Sequence, residues 1–181
     1  MASWSHFARR ARVPLGFVFA ALYLWLARPS GKSMLLGLVL IIPGLLIRAS
    51  ASGHVQKNEQ LTTTGPYAYT RNPLYLGSLV LALGFAVAAR SWWITSGLVV
   101  MFLAIYLPVI RAEQAFLSSR FREFDEYARQ VPLFLPRLTP FRHHSQSFSW
   151  RLYGKHREYH AALGALAMLA ALAAKLLWFP R

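Results

Sequence analysis

Five long stretches of this chain carry almost no formal charge, and that feature restricts its fold more than any other. Residues 13–27, 33–47, 72–89 and 91–110 contain no Asp, Glu, Lys or Arg, and residues 159–179 contain only Lys175. A helix of about 20 apolar residues crosses a hydrocarbon core about 30 Å thick. The first two runs have 15 residues each and reach about 22 Å at 1.5 Å per residue. They predict a short hairpin turning at Arg28, Pro29, Ser30, Gly31 and Lys32, with Arg12, Arg28, Lys32 and Arg48 snorkelling to the interface. Lys175 lies near enough to the end of the fifth run to do the same. The expected fold is all-α: one integral membrane domain over residues 1–181, a polytopic transmembrane helical bundle of about five spans. A soluble domain is excluded by composition, since 56% of residues are hydrophobic and 14% charged, against about 25% charged in globular chains.

A formal charge of +14 would suggest nucleic acid in a soluble protein, but here it follows topology. Arg9, Arg10 and Arg12 precede the first span, Arg48, Lys57 and Arg71 lie between the second and third, and nine more basic residues lie between the fourth and fifth. These 15 of the 20 basic residues fall on alternate loops, which the positive-inside rule assigns to the cytoplasm. All six acidic residues fall on the same side. Membrane lipids are the expected partners, with no nucleic acid, and the N-terminus is expected on the cytoplasmic side. The chain has no cysteine, so disulfides and thiolate metal sites are excluded. Residues 1–27 resemble a signal peptide, but Trp25 and Ala27 make a poor cleavage pair and Pro29 follows, so a retained first span is expected.

The cytoplasmic segments, residues 49–71 and 111–158, are longer than connectors need to be. In residues 112–130, Ala115, Phe116, Leu117, Phe121, Phe124 and Ala128 recur at helical intervals among charges and predict a cytoplasmic amphipathic helix continuing from the fourth span. Residues 131–136 form a proline-bounded apolar stretch, expected to cap the membrane face. Residues 142–159 are basic and aromatic and read as an interfacial belt against anionic lipid.

The informative stretch runs from Thr64 through Gly65, Pro66, Tyr67, Arg71, Asn72, Pro73 and Tyr75 to Gly77 at the entrance to the third span. Gly65 and Pro66 signal a turn, and Pro73 suits the first turn of a helix. Arg71 and Tyr75 would share a helix face if the helix began early enough to include both. On residue types alone, Arg and Tyr here would serve as interfacial anchors. Their order, Gly-x-Tyr followed by Arg-Asn-Pro-x-Tyr-x-Gly, resembles the isoprenylcysteine carboxyl methyltransferase and phospholipid methyltransferase family. A second motif of that family resembles Glu113 and Gln114 followed by Leu117 and Phe121, with Phe124, Tyr127, Val131 and Pro132 beyond. The resemblance covers about residues 53–136; residues 159–179 are an additional C-terminal span.

The resemblance implies a membrane enzyme that binds S-adenosylmethionine on the cytoplasmic side and methylates a lipid or lipid-like substrate. It implies Gln56, Leu61, Thr62, Tyr67, Arg71, Asn72, Tyr75 and Glu113 as cofactor-binding residues. The residue types suit the ligand: Arg71 for a carboxylate, Glu113 for an ammonium, the faces of Tyr67 or Tyr75 for a sulfonium. Methyl transfer is an in-line displacement at an activated carbon, so no catalytic acid or base is nominated. Asn72 stands where the family often has His, and Gln114 replaces a second Glu. Val109 occupies the position at which prenylcysteine methylating members carry Arg; Arg111, two residues from Glu113, points about 200° away around a helix, which argues against a prenylcysteine substrate. His156 and His160 are four apart, but no matching ligand pair lies in another span, so no metal site is expected. Two rival readings are a membrane NADPH-dependent sterol-reductase-like enzyme, since such reductases resemble this family in their carboxyl-terminal half, and a non-enzymatic basic adaptor acting through residues 142–157.

Overall fold

The computed structural model describes residues 15–56, 60–141 and 146–178. Every regular element in it is helical. Helix α1 spans Leu15–Leu26 and α2 spans Gly31–Ser52. A short 3₁₀ turn, Gly65–Ala68, precedes α3, Pro73–Ala89. Then come α4, Trp92–Met101, and α5, Leu107–Arg120, followed by α6, Phe124–Gln130, α7, Trp150–Lys155, and α8, Tyr159–Trp178. Three helical runs are long and apolar enough to cross a membrane: Gly31–Ser52, Trp92–Arg120 and Tyr159–Trp178. Leu15–Leu26 and Pro73–Ala89 are shorter apolar helices. The protein is an all-helical integral membrane protein.

Three boundaries differ from expectation. Helix α2 has 22 residues rather than 15, because Arg48 and the small polar residues after it continue the helix beyond the apolar run. Helices α4 and α5 form one rod of 29 residues, Trp92–Arg120, in which residues Phe102–Tyr106 take a wider π-helical turn. Pro108 explains the turn: its ring cannot fit against the carbonyl four residues back, and the Leu107 N–H instead donates to the carbonyl of Phe102, five residues back. The amphipathic stretch, residues 112–130, is not one helix. It breaks at residues 121–123 between α5 and α6.

The chain forms two compact units, residues 1–41, 82–115 and 165–181, and residues 42–81 and 116–164. In the first, Tyr23, Ala27, Ala88, Ala89, Ile94 and Leu172 form a buried core. Tyr23 donates to the Phe85 carbonyl at 2.8 Å, Ser33 Oγ to the Ala88 carbonyl at 3.0 Å and the Arg28 N–H to the Ala89 carbonyl at 2.8 Å. These bonds satisfy polar groups that lipid would leave unpaired.

In the second unit a Cβ built on Gly44 would lie 2.7 Å from the Leu81 nitrogen and 2.9 Å from the Gly77 carbonyl oxygen. Only glycine lets α2 and α3 approach this closely, a packing mode common between membrane helices. Arg48, on the same helix, pairs with Glu158 at 2.6 Å and also donates to Ser78 Oγ. His156 Nδ1 lies 3.0 Å from the Ser52 carbonyl, so the end of α2 is tied to the residues that open α8. A second apolar cluster contains Phe124, Tyr127 and Val131 with Leu61, Leu117, Phe121 and Phe141 against it.

Candidate functional site

The 65–72 loop is buried more deeply than a surface connector. Gly65 has φ +57°, a left-handed conformation that glycine adopts without strain. A Cβ there would also meet the His54 ring at 2.5 Å. Pro66 follows, and the 3₁₀ turn buries Tyr67 and Ala68. A buried loop must pair its backbone polar groups, and residues 131–141 provide the partners. The Arg71 N–H donates to the Pro132 carbonyl at 2.9 Å, and the Tyr69 and Ala68 carbonyls each accept at 3.0 Å, from the N–H of Arg137 and Phe141. Thr70 Oγ1 and Asn72 Nδ2 both donate to the Leu133 carbonyl at 3.2 Å.

Residues 131–133 therefore cap the motif loop itself rather than lying only on the membrane face. Val131 is fully buried, whereas Leu135 and Leu138 are 80% and 98% exposed. The loop also separates Arg71 from Tyr75, because α3 begins at Pro73 and Arg71 precedes it.

Tyr127, on α6, joins the two motifs. Its hydroxyl donates to the Tyr67 carbonyl at 2.7 Å, and its ring packs edge-on against Phe141. Burial pushes the Tyr127 phenol well above its ordinary value, and the positive charge of Arg71 draws it part of the way back. Burial likewise lowers Arg71, with Tyr127 opposing that shift. A guanidinium held partly out of water is favourably placed for an anion, because its electrostatic interactions are less screened.

The residues implied by the resemblance divide as follows. The Gln56 N–H donates to Thr62 Oγ1 at 3.2 Å, so these two are neighbours. Leu61 packs on the Phe124, Tyr127 and Val131 cluster, and Tyr67 and Arg71 meet at Tyr127. Thr62 and Asn72 are buried, at 8% and 5% exposure, and the Asn72 amide nitrogen is engaged with the Leu133 carbonyl. Tyr75 is half-buried on α3, and Glu113 is exposed on α5 in the first unit. Val109 is buried. Among these residues the second unit holds a guanidinium, two phenol rings, a hydroxyl and two amides, of which the Thr62 hydroxyl and the Asn72 amide are already engaged within the unit.

His156 and His160 do not share a helix face: His156 ends α7 and bonds the Ser52 carbonyl, while His160 lies in α8, stacked on Tyr159 at 4.5 Å. Residues 142–145, with His143 and His144, lie outside the described residues, as do Lys57, Glu59 and residues 1–14. Among the described residues no group of three or more His, Cys, Asp or Glu is placed to hold a metal ion. Two participants were not apparent from sequence. Helical spacing from Phe124 to Tyr127 to Val131 marks an apolar face but not the bond from Tyr127 to Tyr67, and nothing in the chain around His54 announces its contact with Gly65.

The chain is 45% identical over 87 residues to the cobalt-zinc-cadmium resistance protein CzcN of Cupriavidus metallidurans, a match covering 48% of this chain and 40% of that protein. It is 42% identical over 90 residues to the nickel-cobalt-cadmium resistance protein NccN of Alcaligenes xylosoxydans xylosoxydans, covering 50% of this chain and 42% of that one. It is 31% identical over 81 residues to the protein-S-isoprenylcysteine O-methyltransferase of Schizosaccharomyces pombe, covering 44% of this chain and 34% of the relative. The chain thus spans less than half the length of each of these relatives. No solved structure matches it. The profile of phospholipid methyltransferases matches residues 32–123, a region that contains the motif loop, α3 and Glu113, and the chain belongs to the phospholipid methyltransferase family.

Proposed function

We propose that this protein is a membrane-embedded S-adenosylmethionine-dependent methyltransferase acting on a lipid or lipid-like substrate, with its N-terminus and active site facing the cytoplasm. The observation that carries the proposal is the partly buried Arg71 beside Tyr127, in a motif loop tied down by residues 131–141. When bound, the cofactor supplies a methyl carbon activated by an adjacent sulfonium.

The chain's own residues bind and orient. Arg71 takes the cofactor carboxylate as a charge-assisted pair, and Tyr67 or Tyr75 offers a ring face to the sulfonium. Gln56, Thr62, Asn72 and the Leu61 backbone hold the polar remainder. The buried loop excludes water from the acceptor, which matters because displacement at carbon depends on alignment of nucleophile and methyl. No acid or base is assigned, since a carboxylate acceptor needs none and an amine acceptor needs only to lose a proton before or after attack. With valine rather than arginine at 109, an acceptor other than a prenylcysteine carboxylate is favoured.

Calorimetric titration of the purified protein with S-adenosylhomocysteine tests the reading. Saturable binding that weakens at least tenfold in Arg71→Ala is expected. No binding by the wild type, or binding indifferent to that substitution, rejects it.

A further inference from the structure

Beyond the methyltransferase reading, we propose that the second unit carries a phosphate-binding site, built largely from residues after the family-matched region and sharing only Gln56 with the proposed cofactor set. A cavity of about 510 Å³ opens beside the end of α2, lined by His54, Gln56, Gln146, Ser149, Arg151 and Lys155 among others, with no acidic residue among the described residues of its wall. That volume is typical of small-molecule sites and exceeds what a phosphate needs.

The wall is held in place by specific bonds. The Ser149 N–H donates to the Gly53 carbonyl at 3.0 Å, and Ser149 Oγ accepts from the Leu152 N–H at 3.3 Å. His54 Nδ1 lies 2.7 Å from the Ser50 carbonyl and its Nε2 3.1 Å from the Gln146 carbonyl. Arg151 and Lys155 are one helical turn apart on α7, so both extend from one face. Two like charges at this spacing repel mildly, and an anion between them removes the repulsion. A guanidinium, an ammonium, amides and a hydroxyl around one polar space form the donor set that recognises phosphate.

The cavity also lies where membrane spans emerge. Gly53 directly follows α2, and Lys155 is four residues before α8. Arg48 with Glu158, and His156 with the Ser52 carbonyl, hold those two ends together. Trp150 is 77% exposed, and its ring packs edge-on against Phe148 at 4.9 Å and Tyr153 at 5.9 Å. Such aromatic groups settle at headgroup depth. A phospholipid headgroup and a free cytoplasmic phosphate present the same chemistry here, and the experiment separates them.

The test measures the thermal midpoint of the full chain in uncharged detergent against increasing dihexanoyl phosphatidate, inorganic phosphate, or phosphate-free dihexanoylglycerol. A saturable rise with at least one phosphate ligand and none with dihexanoylglycerol is expected. In Arg151→Gln/Lys155→Gln the half-saturating concentration rises at least fivefold. In Arg122→Gln/Arg129→Gln, which removes the same charge from exposed positions outside the cavity, it is unchanged. Tighter action by phosphatidate assigns the site to lipid, and tighter action by inorganic phosphate to the free anion. Equal stabilisation by dihexanoylglycerol, no effect of either phosphate, or equal weakening by both double variants overturns the proposal. Because neither cation belongs to the proposed cofactor set, S-adenosylhomocysteine binding by Arg151→Gln/Lys155→Gln stays at the wild-type level, so the two proposals fail independently.

Discussion

Tyr127 concentrates several constraints in one side chain. Its hydroxyl is the donor to the Tyr67 carbonyl, its ring belongs to the cluster under the motif loop, and its neutral form is favoured by burial. Tyr127→Phe keeps the ring and removes this hydrogen bond from a buried carbonyl, which costs about 1–2 kcal/mol. A lower thermal midpoint in detergent is the expected readout. A pH dependence follows from the same burial. A phenol whose folded pKa is raised contributes stability that is fully present below the unfolded value of 10.0 and is lost as pH rises toward the folded value. The wild type should therefore lose midpoint more steeply than Tyr127→Phe between about pH 9.5 and 11, and parallel curves would contradict this account. This coupling was not legible in the chain, since Arg71 and Tyr127 are far apart in sequence and only the fold brings them together.

At the scale of elements, the uncharged runs located every long helix, because in lipid the cost of exposing backbone polar groups leaves few alternatives. Boundaries were less legible where helix and hydrocarbon do not coincide. Helix α2 continues past Arg48 to Ser52, since a charged side chain that finds Glu158 and Ser78 does not end a helix. The 121–123 break was hidden because the apolar spacing continues across it. The contact of α2 with α3 at Gly44 was also hidden, because a glycine in an apolar run reads equally as slack or as close approach. Gly44→Leu distinguishes these: its side chain meets backbone on α3, so overpacking costs about 1–3 kcal/mol, measured as a lower midpoint or a loss of folded protein in detergent. Little change would mean that the helices separate without penalty. For the Arg48 and Glu158 pair, both largely removed from solvent, a double-mutant cycle with Arg48→Ala and Glu158→Ala should return a coupling of about 1–3 kcal/mol.

For the whole molecule, the distribution of charge joins the proposed cofactor site and the phosphate cavity to one side of the bilayer. The motif loop, residues 131–141 and α7 all fall on the loops that carry 15 of the 20 basic residues, and the positive-inside rule orients such loops toward the cytoplasm. S-adenosylmethionine is charged and water-soluble, so a methyltransferase that draws its acceptor from the bilayer needs this orientation to reach it. The absence of any native cysteine makes orientation directly measurable. Thr139→Cys places an exposed thiol in the segment between α6 and α7, and Lys32→Cys places one at the start of α2, on the opposite side by the same rule. In intact cells a membrane-impermeant maleimide should label Lys32→Cys and spare Thr139→Cys, and opening the membrane should make Thr139→Cys reactive. Labelling of Thr139→Cys in intact cells would place both proposed sites on the wrong side for a cytoplasmic cofactor. The methyltransferase reading would then fail at the level of topology, whatever the geometry around Arg71.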